Sequence, residues 1–165
     1  MLCGSVDCMT ITHAPDGYRC PMCDVVAGRY SEHNQPSDLV ADRDTVFALV
    51  SPKWWPNNPG GVLVVPREHH ENIYDIPRDV GHELWDLTQD IAVRMRETYG
   101  CSGITVRQHN EPDGNQDMWH LHIHVIPRHH GDNLYSLSDQ ASWHDADSRK
   151  TYADKLRGRR SDQGR

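Results

Sequence analysis

The stretch whose reading decides the fold is His120-Leu121-His122-Ile123-His124-Val125-Ile126. Polar and apolar residues alternate strictly through it, the period of a β-strand with one buried face. That register predicts three imidazoles on one face, with Leu121, Ile123 and Val125 turned into a core. Near neutral pH an imidazole serves as nucleophile, general acid or base, or metal ligand. With 12 histidines among 165 residues, the plain alternative is a surface strand whose exposed positions are histidine by chance. Three in register, followed at once by Pro127 and Arg128, argue for a built site.

Outward from this strand, Ile104 to His109 alternates in the same way, and the Asn110–Gln116 loop links the two. Arg78 to Tyr99 reads as the one long helix. Val80, Leu84, Leu87, Ile91 and Met95 recur at three- and four-residue steps, giving a single apolar stripe. Pro77 precedes it and Gly100 follows, as helix starts and ends favour. Thr45–Val50 and Val62–Val65 read as apolar strands, the second stopped by Pro66. Ser31–Asp44 reads as a polar connection. Ser51–Gly60 reads as a loop containing Trp54 and Trp55. A short helix is expected after Cys20, ending near Gly28, and another over Ser148–Leu156. Strands joined by short loops, with one long helix between two pairs, predict an α+β domain with a mainly antiparallel sheet of about five strands. The expected organisation is a flexible lead-in over 1–18, a domain over 19–135 and a tail with a short helix over 136–165.

Composition narrows the function. Apolar residues make up 36% of the chain, and no run approaches the roughly 20 apolar residues that span a bilayer. No basic segment followed by an apolar one marks a secretory leader. Five cysteines form a poor disulfide framework, so a reducing cytoplasm is expected. The formal charge of −7 argues against general nucleic-acid binding. The basic residues near the C-terminus, Arg149, Lys150, Lys155, Arg157, Arg159, Arg160 and Arg165, read as a solvated charged face.

Three further segments accompany the triad. These are Asn110-Glu-Pro-Asp-Gly-Asn-Gln-Asp-Met-Trp-His120 before it, Phe47-Ala-Leu-Val-Ser51, and Gly61-Val-Leu-Val-Val-Pro-Arg-Glu-His69. Together they resemble the histidine-triad (HIT) superfamily of nucleotide hydrolases and transferases, over about Arg19 to Tyr135. The resemblance implies a HIT-like fold, a small sheet with a helix packed on it, assembled as a homodimer. It implies a small-molecule nucleotide substrate, in the manner of the diadenosine-polyphosphate hydrolases and nucleoside phosphoramidases. His122 would attack the α-phosphate and form a covalent nucleotidyl-histidine. His124 would donate to a phosphate oxygen, Gln116 would contact the phosphates or leaving group, and Asn110 would hold the phosphate or sugar end. Ser51 is a weaker candidate for the nucleotide. No catalytic cofactor is required, since fixed donors can stabilise the charge.

Cys20-x-x-Cys23 has the spacing of half a structural zinc site, although the same spacing also serves redox pairs. In a microbial zinc-containing branch of the superfamily the remaining ligands are a histidine after the second strand and the first triad histidine. Carried over, the set is Cys20, Cys23, His69 and His120, a Cys2His2 site. Other readings stay open. In one, His120 and His122, with Asp117, ligate a catalytic metal instead; in another, the fold binds nucleotide without turnover. Asp117 stands where the family places a hydroxyl, and a carboxylate there repels phosphate. Leu49 stands where one branch has an acid for the ribose, and the Trp54-Trp55 connection is longer than usual.

Overall fold

The computed structural model describes residues 12–157. Cys3, Cys8, the first eleven residues of the expected lead-in, and Arg159, Arg160 and Arg165 lie outside the described residues.

The chain forms helix α1 (Pro21–Val26), strands β1 (Leu39–Asp42), β2 (Val46–Val50), β3 (Lys53–Trp54) and β4 (Val62–Pro66), and helix α2 (Arg78–Thr98). Strands β5 (Gly103–Gln108), β6 (Ile123–Arg128) and β7 (Ser142–Trp143) and helix α3 (Ala146–Arg157) follow. Five strands make one antiparallel sheet in the order β1-β2-β4-β6-β5. The α+β expectation therefore holds, with the long helix where its stripe placed it.

The period of two along β2 and β4 divides the core into two layers. Val46, Ala48, Val50, Val62 and Val64 meet Leu84, Leu87, Ile91 and Met95 of α2 on one face, together with Leu121, Ile123 and Val125. Phe47, Leu49, Leu63 and Val65 turn to the other face and pack on Met22 and Val25 of α1. Both strands are buried throughout, which explains why they read as unbroken apolar runs. Leu63 pairs with His124, so His122 and His124 share the face opposite α2.

Four details differ from the sequence reading. Sheet pairing starts at Ile123, not at His120. Ahead of it, Leu121 N donates to His70 O at 2.6 Å, so the chain follows the 67–72 turn there. The alternation of faces still runs back to His120. Second, the polar 31–44 connection contains the edge strand β1 and a 3-10 turn over Pro36–Asp38. β1 is too short and too exposed on one side to show a hydrophobic pattern. Third, Arg149 is fully buried and pairs with Asp38, also fully buried, at 3.0 Å. It is not part of a solvated basic face. Arg157 likewise donates to the carbonyls of Ser37 and Leu39. The frequent charges of α3 mask a narrow inward stripe, and Ala153 and Leu156 join the main core. Fourth, residues 12–18 are tied down at both ends. His13 N donates to Glu71 at 2.7 Å, and Trp119 N donates to the Tyr18 hydroxyl at 3.2 Å.

Trp54 is buried and stacks on His144, with ring centroids 4.2 Å apart. Trp55 is half-buried, its indole N–H donating to Ser138 O at 3.1 Å. Among the described residues no helix is long and apolar enough to cross a membrane.

Candidate functional site

The site face rests on the junction of β4 and β6. Pro66 ends β4, and the turn after it carries His69 under α1, whose first residue follows Cys20. Four groups converge there. Cys20 Sγ lies 3.2 Å from His120 Nδ1, and Cys23 Sγ lies 3.4 Å from His69 Nδ1 and 3.7 Å from His120 Nδ1. All four ligand atoms lie within 4.8 Å of one another. Zinc bonds of ~2.0–2.3 Å at tetrahedral angles set neighbouring ligand atoms roughly 3.3–3.8 Å apart, so the cluster has the dimensions of a metal site. Its supporting bond is present as well. His120 Nε2 donates to Pro66 O at 2.9 Å, which leaves Nδ1 with a lone pair aimed at the thiols. Burial pushes the Cys23 thiol up to about 11 and His120 down to about 4. Without metal Cys23 and His120 are therefore neutral, and metal binding must displace the Cys23 proton. Cys23 and His69 face an open cleft of about 670 Å³ that Tyr18, Arg19 and Arg29 also line.

The second and third histidines form a separate pair. His122 Nδ1 donates to the backbone carbonyl of His120 at 2.8 Å, and its Nε2 lies 3.1 Å from His124 Nε2. Once Nδ1 carries the proton, neutral His122 has its lone pair on Nε2. The short contact then needs His124 Nε2–H as donor. Burial lowers the pKa of His122, against the bond to the His120 carbonyl. It holds His124 well below the usual imidazole range, aided by the proximity of His122 and by the Arg107 cation. Both rings are thus neutral at pH 7. The result is an unprotonated nitrogen nucleophile beside an N–H donor.

The other expected residues are arranged around this pair. Gln116 is buried, its amide donating to Glu71 O and Met118 O and its oxygen accepting from Glu111 N at 2.7 Å. Asn110 accepts from Ile73 N at 2.8 Å and exchanges bonds with Gln108. Both amides hold the loop that borders the triad. Glu111 and Asn115 in that loop take positive φ, a tight path that these bonds keep closed. Ser51 bonds the backbone of Lys53 and lines a crevice with Trp55 and His124. Asp117 is exposed at the rim.

Sequence reasoning did not single out Arg107 and His109. Arg107 belongs to β5 and pairs directly with His124, and His109 follows the end of that strand, two residues on and on the same face. The His109 and His124 ring centroids are 5.7 Å apart. The alternation of 104–109 is visible in sequence, but the neighbour of β5 is known only once the sheet order is known.

A sequence model of the HIT domain matches residues 32–131. The chain belongs to the HIT family. An uncharacterized HIT-like protein of Saccharolobus solfataricus is 31% identical over 108 residues, covering 66% of this chain and 73% of its own. A bis(5′-adenosyl)-triphosphatase of Dictyostelium discoideum is 33% identical over 92 residues, 56% of this chain and 60% of its own. Among solved structures, a HIT-like protein from Bartonella henselae superposes with a TM-score of 0.69 at 25% identity, covering 82% of this chain and 91% of its own. A Zn-bound histidine triad family protein from Mycobacterium smegmatis has a TM-score of 0.67 at 24% identity, covering 84% and 91%. The HIT match ends before α3, yet α3 contributes to the same core.

Proposed function

We propose that this HIT protein is a hydrolase or nucleotidyl transferase acting at the α-phosphate of a nucleoside-phosphate conjugate, a diadenosine polyphosphate or an adenylated amine. The observation that carries the reading is the bond from His122 Nδ1 to the His120 carbonyl, which leaves Nε2 unprotonated beside His124. The lone pair of His122 Nε2 attacks phosphorus, an N–P bond forms, and the bond to the leaving group breaks with its electron pair. His124 Nε2–H, released from its contact with His122, donates to a phosphate oxygen. Water then attacks the nucleotidyl-histidine, yielding a nucleoside monophosphate and restoring the free ring. Two easier displacements replace one hard one. Gln116 and Asn110 act by keeping the bordering loop closed, and Ser51 lines the crevice beside His124.

Cys20, Cys23, His69 and His120 fit a zinc ion, which when bound would act structurally by fastening α1 to the sheet. The engagement of His120 and Cys20 in one four-membered cluster favours this over a catalytic metal shared by His120, His122 and Asp117. We further propose a homodimer, as the resemblance implies, working in the cytoplasm.

The test measures nucleoside monophosphate release from diadenosine triphosphate and from adenosine 5′-phosphoramidate, with wild type beside His122→Asn. Release by wild type and none by the variant supports the reading. Equal release by both proteins removes His122 from the chemistry. Retained nucleotide affinity without release from either substrate replaces an enzyme with a binding module.

A further inference from the structure

Arg107 is a cation beside the histidine pair, across from the acid Asp117, and its situation is unusual. Arg128, on the neighbouring strand, meets Asp132 at 2.7 Å, and Arg149 meets Asp38. Arg107 meets no carboxylate among the described residues. Its Nε is buried without a hydrogen-bond partner. Arg107 lies over the Trp55 indole, with Cζ 4.5 Å from the ring centroid. Trp55 is itself anchored by its bond to Ser138, so the stack holds the guanidinium in place while its N–H donors stay available. A half-buried cation with donors unmet is costly to keep unless an anion completes it.

The position of Arg107 indicates what that anion is. Residues directly opposite in an antiparallel pair have Cβ atoms about 4.5–5.5 Å apart, and Arg107 stands opposite His124. Along the chain the order is His120, His122, His124, and Arg107, stacked on Trp55, flanks His124 from β5. The attacked phosphorus must sit at His122 Nε2. A charge beside His124, on the side of His122 away from His120, acts on the part of the substrate beyond that phosphorus. Arg107 also offsets Asp117, the acid that otherwise repels a phosphorylated substrate. We infer that Arg107 is a specificity residue that binds the phosphates of the leaving group, so that this site favours conjugates whose leaving group is a nucleoside polyphosphate over those with a neutral amine. This rests on the displacement described under Proposed function. In that step the P–O bond breaks, the departing nucleoside polyphosphate keeps the electron pair, and Arg107 holds the anion so formed.

The test compares wild type with Arg107→Met, which keeps the stem without the charge, and Arg107→Lys, which keeps a charge without the fork. The readout is the ratio of kcat/KM for diadenosine triphosphate to kcat/KM for adenosine 5′-phosphoramidate. Loss of a charged hydrogen-bond pair predicts that Arg107→Met lowers this ratio by about ten- to a hundredfold, with partial recovery in Arg107→Lys. A ratio within about threefold of wild type, whether both rates hold or both fall together, overturns the assignment. Calorimetric titration with inorganic tripolyphosphate separates this idea from the catalytic one. If wild type turns over neither substrate, the catalytic reading fails, and tripolyphosphate affinity decides the role of Arg107. Affinity lost in Arg107→Met supports the anion site, and affinity unchanged in Arg107→Met overturns it.

Discussion

Replacing Arg149 by Met should destabilise the protein more than any other single change to a charged residue of α3. The guanidinium and the Asp38 carboxylate are both fully buried and lie 3.0 Å apart. Arg149 also donates to the carbonyls of His144 and Glu32. The variant leaves a carboxylate without its counter-ion and two carbonyls without their donor. Breaking a buried pair from one side costs about 3–5 kcal/mol. For a chain of this size each kcal/mol moves the melting temperature by about 2–4 °C, so a fall of roughly 6–20 °C is expected. The pair itself is imperfect, because Arg149 Nε and Asp38 Oδ1 have no partner. Desolvation therefore offsets much of its attraction, and the cost of the single variant comes from the charge left behind. The double variant Arg149→Met/Asp38→Asn should recover at least half the loss, since no charge then remains and Asn keeps an acceptor for Gln35 N. Thermal melts followed by circular dichroism with zinc in excess give all four corners of the cycle. A single-variant loss under about 1 kcal/mol would refute the reasoning, as would a double variant that melts below the single.

Other outcomes follow from the site. Cys20→Ser should lose bound zinc and melt earlier, whereas His122→Asn should keep one zinc per chain, as metal analysis of the purified proteins would record; zinc loss in the second would undo the division between metal and nucleophile. The acid limb of kcat/KM should lie below the ordinary imidazole value of about 6.5, because burial lowers the pKa of both His122 and His124 and so keeps the neutral rings to lower pH; a limb centred at or above that value contradicts the neutral pair. Gln116→Ala should raise proteolysis within 110–119 and reduce turnover together, since one buried amide closes that loop; reduced turnover with an equally resistant loop would assign Gln116 to the substrate instead. Sedimentation should give twice the chain mass of 18.9 kDa, and a monomer at micromolar concentration would remove the dimer.

The sequence carried most of the sheet because the apolar faces repeat with the right period. β2, β4, β6 and α2 lie within a few residues of their expected ends. The cluster of Cys20, Cys23, His69 and His120 was legible because the family resemblance pointed to those four positions and each holds a residue able to ligate a metal. Arg149 was not legible, since a buried arginine looks like its exposed neighbours until Asp38 is known to face it. Arg107 was hidden for a topological reason. β5 precedes β6 in the chain, but only their register places Arg107 against His124. Asn110 and Gln116 were legible as important, though not as amides spent on backbone groups, which only the closed loop reveals.

The bond that sets the lone pair of His122 ends on a peptide oxygen, not on a side chain. No substitution at position 120 deletes that oxygen, whereas the imidazole of the same residue, which faces Cys20 and Cys23 in the proposed zinc cluster, is open to replacement. Heredity can therefore act on the two duties of His120 separately. A lineage could trade its metal ligands one by one for apolar packing that holds α1 equally well, and the nucleophile would keep its tautomer throughout. The reverse path is closed, because a cluster kept intact cannot rescue a strand whose peptide plane at position 120 has turned. Chemistry in this fold is thus written into the path of the backbone, and the side chains of the proposed metal cluster are the more easily revised part.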